Sequence, residues 1–115
     1  MKVMYVCSPL GGDIPHNVQR VKEAVTVLIQ EAKDMSHVCT SVPMPMFLVP
    51  HFVLNNISFT DDGEVDRQWG LDMCLTLLGF CDSMTVIGDN HTPGMVTEIN
   101  YAREKGIPII VREDL

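Results

Sequence analysis

The sequence is poor in basic residues, in paired cysteines and in long apolar runs, and each shortage excludes a class of function. Eight Lys and Arg stand against fifteen Asp and Glu, a formal net charge of −7, and the basic residues are scattered, not clustered. Duplex nucleic acid and anionic membrane surfaces are therefore poor partners. No apolar run reaches the ~18 residues of a membrane span. The opening MKVMYVCSPLGGD carries one Lys and a strand-length apolar run ending in glycines, so it reads as a buried first strand and not as a signal peptide. The four cysteines, Cys7, Cys39, Cys74 and Cys81, form no CxxC pair, and His16, His37, His51 and His91 are not spaced with them as zinc ligands would be. No metal site is expected, and the thiols read as buried groups of a reduced, cytoplasmic protein. Neither GxGxxG nor GxxxxGKS/T is present, which argues against a dinucleotide or Walker-type nucleotide site.

What is present is enough for one self-sufficient domain over residues 1–115. At this length about two-thirds of the chain's surface can be buried on folding, and 46% hydrophobic residues argue against disorder. Lys2 to Cys7 is a nearly continuous apolar run suited to a central parallel strand, and Ser8 to Asp13 is a glycine-bearing loop. Val18, Val21, Val25, Leu28 and Ala32 then recur at three- and four-residue steps, predicting an amphipathic helix. Val38 to Val42 (VCTSV) reads as a second strand, after which Pro43, Pro45 and Pro50 break regular structure. A second helix is predicted from Asp62, with Val65, Trp69, Met73 and Leu77 on one stripe and Gly79 near its end.

The segment from Cys81 to Val111 is the most informative. Ser83 to Gly88 is an apolar run with β-branched Thr85, Val86 and Ile87, Asp89 to Gly94 is rich in turn formers, and Thr92 can cap a helix that begins at Pro93 and stops at Gly106 and Pro108. The order β, α, β, irregular, α, β, α, β implies an α/β fold: a Rossmann-like, doubly wound parallel sheet of four to five strands with about three helices and right-handed crossovers. The loop after Gly88 then lies at the carboxyl end of a strand and at the positive end of a helix, where anionic or sugar-bearing ligands sit in such sheets.

Glu98 falls on the second turn of that helix, with Gly94, Met95, Tyr101 and Ala102 beside it on a largely apolar face. A solvated glutamate would sit on the other side. Tyr5 stands on a strand otherwise of Val and Met, as a core aromatic whose hydroxyl needs a partner. Gly11, Gly12 and Asp13 read either as a phosphate-facing loop or as a tight turn that caps the first helix. Asp72 and Asp82 read as site acids or as a surface charge and a backbone acceptor near a turn.

The run from Tyr5 to Asp13 (YVCSPLGGD), the Pro50-His51 pair, Asp61-Asp62, the segment from Arg67 to Asp82 ending GFCD, and Thr92 to Glu98 (TPGMVTE) together resemble the nucleoside 2-deoxyribosyltransferase-like superfamily, most closely its small bacterial and phage members. The resemblance covers nearly the whole chain. It implies cleavage or transfer of an N-glycosidic bond in a nucleoside or nucleotide, with no cofactor. Glu98 matches the carboxylate nucleophile, which suits an oxocarbenium-like transition state because it stabilises positive charge and then bonds to it. Tyr5 resembles the tyrosine that orients that glutamate, and Asp72 the acid that protonates the departing base. Thr92 and Gly94 match the residues that hold the 5′ end of the sugar; Ser8, Gly11, Gly12, Asp13, His51, Asp82 and Met95 complete the expected substrate-binding set. Asp13 stands where phosphate-handling relatives tend to carry a basic residue, and an acid there repels a 5′-phosphate. Relatives assemble, and the Pro-Met-rich segment at Val42 to Phe47 leaves an apolar patch for a neighbour, so at least a dimer is expected. Two other readings fit the same residues: a binding module that sequesters a nucleotide-derived ligand without turnover, and an assembly protein whose pocket is vestigial.

Overall fold

The apolar runs near the start and beyond Cys81 form the two central strands of a parallel sheet. The computed structural model describes residues 2–9, 14–38, 44–50, 52 and 64–115. Along them run β1 (Val3–Cys7), α1 (Ile14–Val38), β2 (Met46–Leu48), α2 (Glu64–Leu78), β3 (Ser83–Ile87), α3 (Pro93–Glu104) and β4 (Ile109–Arg112). The strands form one four-stranded sheet of order β2-β1-β3-β4 with every pair parallel. This is the expected doubly wound α/β architecture.

Alternation along the strands assigns the helices to faces. Val6 and Ile87 pack with Val21, Ala24, Val25 and Leu28 of α1, whereas Tyr5, Cys7, Met84 and Val86 pack with Cys74 and Leu78 of α2 and with Met95, Ile99 and Ala102 of α3. Successive strand residues point to opposite faces, so one apolar run serves two cores. The chain leaves β1 toward β2 over the α1 face and leaves β3 toward β4 over the other. Opposite directions on opposite faces give both crossovers the same hand, as parallel sheets require. The order of strands therefore reverses between β1 and β3, whose register pairs Tyr5 with Met84 and Cys7 with Val86.

Two local expectations are corrected. Val38, the first residue of the expected second strand, ends α1; the rest of that segment, residues 39–42, lies outside the described residues, and the strand that pairs with β1 is Met46–Leu48. Pro45 and Pro50 bracket this short strand without interrupting it, and an edge strand tolerates such neighbours because one side of its ladder is unpaired. On α2 the buried line is Gly70, Cys74 and Leu78, while Trp69 is half exposed. Met73 and Leu77 lie partly buried beside that line, so the predicted stripe was displaced by one residue.

α3 is delimited by its own sequence. Thr92 is its N-cap: its Oγ1 accepts from the Met95 N–H at 3.3 Å, and the Thr92 N–H donates to the Met95 sulfur at 3.5 Å. Pro93 occupies the first turn, where its missing N–H costs nothing. At the other end Gly106 adopts φ 71°, and Ile107 N–H reaches back to the Ala102 carbonyl at 2.8 Å. That is the six-to-one bond of a Schellman stop, which favours glycine at the left-handed position.

Candidate active site

The carboxyl ends of β1 and β3 lie side by side at the point where strand order reverses, the place where ligands enter open α/β sheets. β1 delivers Tyr5, Cys7 and Ser8 to this edge, all buried. β3 ends in Gly88, whose φ of 81° turns the chain toward Thr92. A side chain at Gly88 would also meet the Arg20 guanidinium, 2.5 Å from the position of a Cβ. The backbone is what favours glycine there, since the Arg20 tip is flexible and can move aside. Arg20 Nε in turn donates to the Leu115 carbonyl at 3.3 Å.

Glu98 is held beneath this edge. It is 9% exposed, among the Met95, Ile99 and Ala102 of its own helix. The Tyr5 hydroxyl donates to Glu98 Oε1 at 3.0 Å, joining residues 93 positions apart. The Cys7 thiol and, from α2, the Cys74 thiol are buried in the same cluster as Tyr5 and Met95. Three elements, β1, α2 and α3, thus converge on one carboxylate.

Burial dominates the electrostatics. Desolvation pushes the Glu98 carboxyl above the ordinary glutamate range, and the hydrogen bond from Tyr5 pulls it partly back. The partners move in the complementary sense. Burial, then the neighbouring Glu98 charge, raises both the Tyr5 hydroxyl and the Cys7 thiol, and pushes Cys74 up to about 11. All three keep their protons at neutral pH, so Tyr5 remains a donor. The charged form of Glu98 is thus disfavoured by its surroundings, and the Tyr5 hydroxyl fixes one of its oxygens.

The other expected site residues are distributed unevenly. Thr92, Gly94 and Met95 lie at the carboxyl edge, at the start of α3. Thr92 is already engaged: its Oγ1 takes the Met95 N–H and its carbonyl takes the Val96 N–H at 3.0 Å, which leaves Gly94 as the first-turn amide that Thr92 does not occupy. Asp82 is corrected. It precedes β3 at the opposite, amino edge of the sheet, where its Oδ2 accepts from the Val3 N–H at 2.7 Å and its own N–H donates to the Val3 carbonyl at 2.8 Å. It clips the start of β1 to the start of β3. Asp72 is exposed and accepts from Gln68 Nε2 at 2.8 Å. Two residues on a helix lie about 200° apart, so the turn that aims Cys74 at Tyr5 aims Asp72 away from it. Gly11, Gly12, Asp13 and His51 lie outside the described residues.

The two thiols around the Tyr5–Glu98 pair were missed as site residues. The signal for Cys7 was there: two positions after Tyr5 on a strand is the same face. Nothing in the sequence pointed to Cys74, whose place depends on how α2 docks.

Comparison with known proteins agrees with this fold. A family model described as a domain of unknown function (DUF7768) matches residues 2–112. The chain belongs to that family. Among solved structures, it is similar to the 2-deoxyribosyltransferase of the psychrotolerant bacterium Bacillus psychrosaccharolyticus, with a TM-score of 0.62 and 20% identity over 95% of this chain and 70% of the enzyme. At that identity the likeness establishes the shared fold. No functionally curated protein matches the sequence. Among the described residues, no helix is long and apolar enough to cross a membrane.

Proposed function

We propose that this protein cleaves or transfers the N-glycosidic bond of a nucleoside or nucleotide, with Glu98 as the nucleophile. The observation that carries the reading is the buried Tyr5–Glu98 hydrogen bond beneath the carboxyl edge, at the reversal of strand order. A glutamate that served only solubility would lie on the polar side of α3. This one is buried at the cost of its own ionisation, and carboxylates so placed cluster at functional sites. The similar fold of a 2-deoxyribosyltransferase supports the same reading.

In this scheme the Glu98 carboxylate attacks the anomeric carbon and the carbon–nitrogen bond breaks, its electron pair leaving with the base. The product is a glycosyl ester on Glu98, and attack by water or a second base restores the carboxylate. Tyr5 acts as a positioning residue, its hydroxyl fixing which carboxylate oxygen faces the sugar. The Thr92 hydroxyl and Gly94 amide, at the positive end of α3, receive the 5′ end of the sugar. The exposed apolar side chains Phe80, Trp69, Met46 and Ile110 support assembly of at least a dimer, which light scattering at micromolar concentration checks against 12.8 kDa.

The direct test is incubation with a panel of nucleosides and nucleoside 5′-monophosphates, with free base detected by chromatography. Release of base by the native protein and its loss in Glu98→Gln is expected. Binding without release would assign the protein to ligand sequestration.

A further inference from the structure

Two arginines reach the carboxyl edge of the sheet, and they are spent differently. Arg112 ends β4 there, its carbonyl accepting from the Gly88 N–H at 2.8 Å. Its guanidinium is saturated with carboxylate: Nη1 and Nη2 donate to Glu31 at 2.6 and 2.9 Å, and Nε and Nη2 to Asp114 at 2.9 and 2.8 Å. Arg20, half-buried on α1, comes to the same residue. Its Nε donates to the Leu115 carbonyl at 3.3 Å, and among the described residues no carboxylate pairs with it and no group accepts from Nη1 or Nη2. In a chain of fifteen acidic against eight basic residues, carboxylates are not scarce. Nη2 lies 2.5 Å from where a Gly88 Cβ would stand, so the cation rests on bare backbone. That backbone opens the β3–α3 loop, in which His91 Nε2 lies 3.3 Å from the Gly88 carbonyl and Thr92 caps α3. Glu98 follows six residues after Thr92, about 9 Å along the helix axis. Helix side chains lean back toward the N-terminus, which shortens that gap toward the span of one sugar phosphate.

We propose that Arg20 is a specificity residue that holds a 5′-phosphate on the substrate, its Nη1 and Nη2 donating to phosphate oxygens beside the first-turn amides of α3. The role rests on the reading of Glu98 as the nucleophile, and it goes further by naming the substrate class: nucleoside 5′-monophosphates in preference to nucleosides. Arginine suits the task because its planar fork meets two phosphate oxygens at once. Gly88 suits it because a residue without a side chain lets the anion come close to the backbone. The contrast with Arg112 sets the two roles apart. Arg112, with every nitrogen on a carboxylate, ties β4 to α1. Arg20 keeps its two terminal nitrogens at the place where strand order reverses, on the loop that leads to the positive end of α3. The competing account is that Arg20 is a strap, joining α1 to Leu115 and nothing more.

The two accounts separate on binding, which needs no turnover. The probes are purine and pyrimidine nucleosides, each with and without its 5′-phosphate, titrated calorimetrically into the full chain and its Arg20→Gln, Arg20→Met and Arg20→Lys variants. The native protein binds a monophosphate about tenfold or more tightly than the matching nucleoside, and the preference shrinks as salt is raised. Arg20→Gln and Arg20→Met weaken the monophosphate by about tenfold, as expected for loss of a charge-assisted hydrogen bond, and leave the nucleoside within about twofold. A strap would weaken both ligands alike or neither. Arg20→Lys, which keeps a charge without the fork, retains part of the preference. Methionine keeps an apolar stem against α1, so Arg20→Met carries the test if Arg20→Gln does not fold. A native protein with no preference for the phosphate overturns the proposal, as does a preference unchanged in both neutral variants. A preference that depends on Arg20, in a protein that releases no base, leaves the phosphate site standing and overturns the glycosidic reading instead. Base released alike from both forms by the native protein and by Arg20→Gln does the reverse.

Discussion

The two faces of this sheet bury side chains of different kinds. Against α1 the interface is mainly hydrocarbon, with Val6 and Ile87 of the sheet meeting Val21, Ala24, Val25 and Leu28 of the helix, and the one buried hydroxyl of β3 on that face, Thr85, donates to the Met4 sulfur. Against α2 and α3 the same strands present Tyr5 and Cys7 to Cys74, Met95 and Glu98. The first face can gain stability from every methylene it hides, about 0.8 kcal/mol each. The second gives up part of that gain to keep a carboxylate out of water. β1 serves both faces at once, Val6 to one and its two neighbours to the other, so the division is made within a single strand.

The sharpest way to test the division is at Glu98, where function and stability should move in opposite directions. Glu98→Gln keeps the shape and removes the charge. Turnover of any nucleoside substrate is expected to fall by several orders of magnitude. The fold should instead gain stability at neutral pH. A group whose pKa is raised by folding stabilises fully below its unfolded value, near 4.3 for glutamate, and that contribution is lost as pH rises through the raised folded value. Glutamine has no such loss. The variant should therefore melt higher at pH 7, by about 4 °C for each 1 kcal/mol relieved, and the gap should narrow toward pH 4. Calorimetric melts at both pH values decide the matter, and a variant that melts lower at pH 7 would show that the charge is not disfavoured by its surroundings.

The opposite signature is expected on the α1 face. Leu28→Ala removes a buried side chain from an apolar cluster and should cost ~2–5 kcal/mol, read by urea unfolding. Turnover per folded molecule should be unchanged, because no α1 residue of that cluster touches Glu98. A large loss of specific activity would mean that the two faces are coupled through β1.

A smaller effect is expected from Tyr5→Phe. The ring stays packed and only the 3.0 Å bond to Glu98 is lost. Rate should fall about tenfold or more, since hydrogen bonds to charged groups are worth ~1.5–3 kcal/mol. The acid limb of the pH–rate profile should move up, because the hydrogen bond from Tyr5 that lowers Glu98 is gone. A profile shifted to lower pH would contradict this account of the pair.

The smallest change belongs to the amino-edge and outward-facing carboxylates. Asp72→Asn should leave turnover within about twofold, against the ~10²–10⁴ that loss of a general acid removes. Asp82→Ala should cost ~1–3 kcal/mol of stability, since the Val3 N–H loses a charged acceptor, with no effect on turnover per folded molecule. A hundredfold loss of rate in Asp72→Asn would restore it as the acid and require α2 to turn.

The contrast between faces also explains what could be read in advance. The α1 face was visible because an aliphatic stripe at helical spacing has one use, and Val21, Val25 and Leu28 are buried as that spacing requires. The placement of Glu98 was visible because a charged residue on an apolar face breaks the same rule. The site's surroundings were not. Asp72 looked like an acid because it is one, and Cys74 looked inert because thiols usually are; the helix rotation that exposes Asp72 and buries Cys74 in the Tyr5 cluster appears nowhere in local pattern.

Local chemistry in the sequence decided the succession of elements, the start of α3 at Thr92 and Pro93, its stop at Gly106, and the apolar company of Glu98. Each depends on residues within a turn or two of one another, where backbone sterics and short-range hydrogen bonds dominate. Only the tertiary structure decided that the edge strand lies between Pro45 and Pro50, that Asp82 clips the amino edge of β1 to that of β3, and that Tyr5 meets Glu98 in a cluster with Cys7 and Cys74. Those outcomes depend on strand order, register and helix docking. They are set by contacts between residues tens of positions apart, whose energy belongs to the packed whole and to no segment of it.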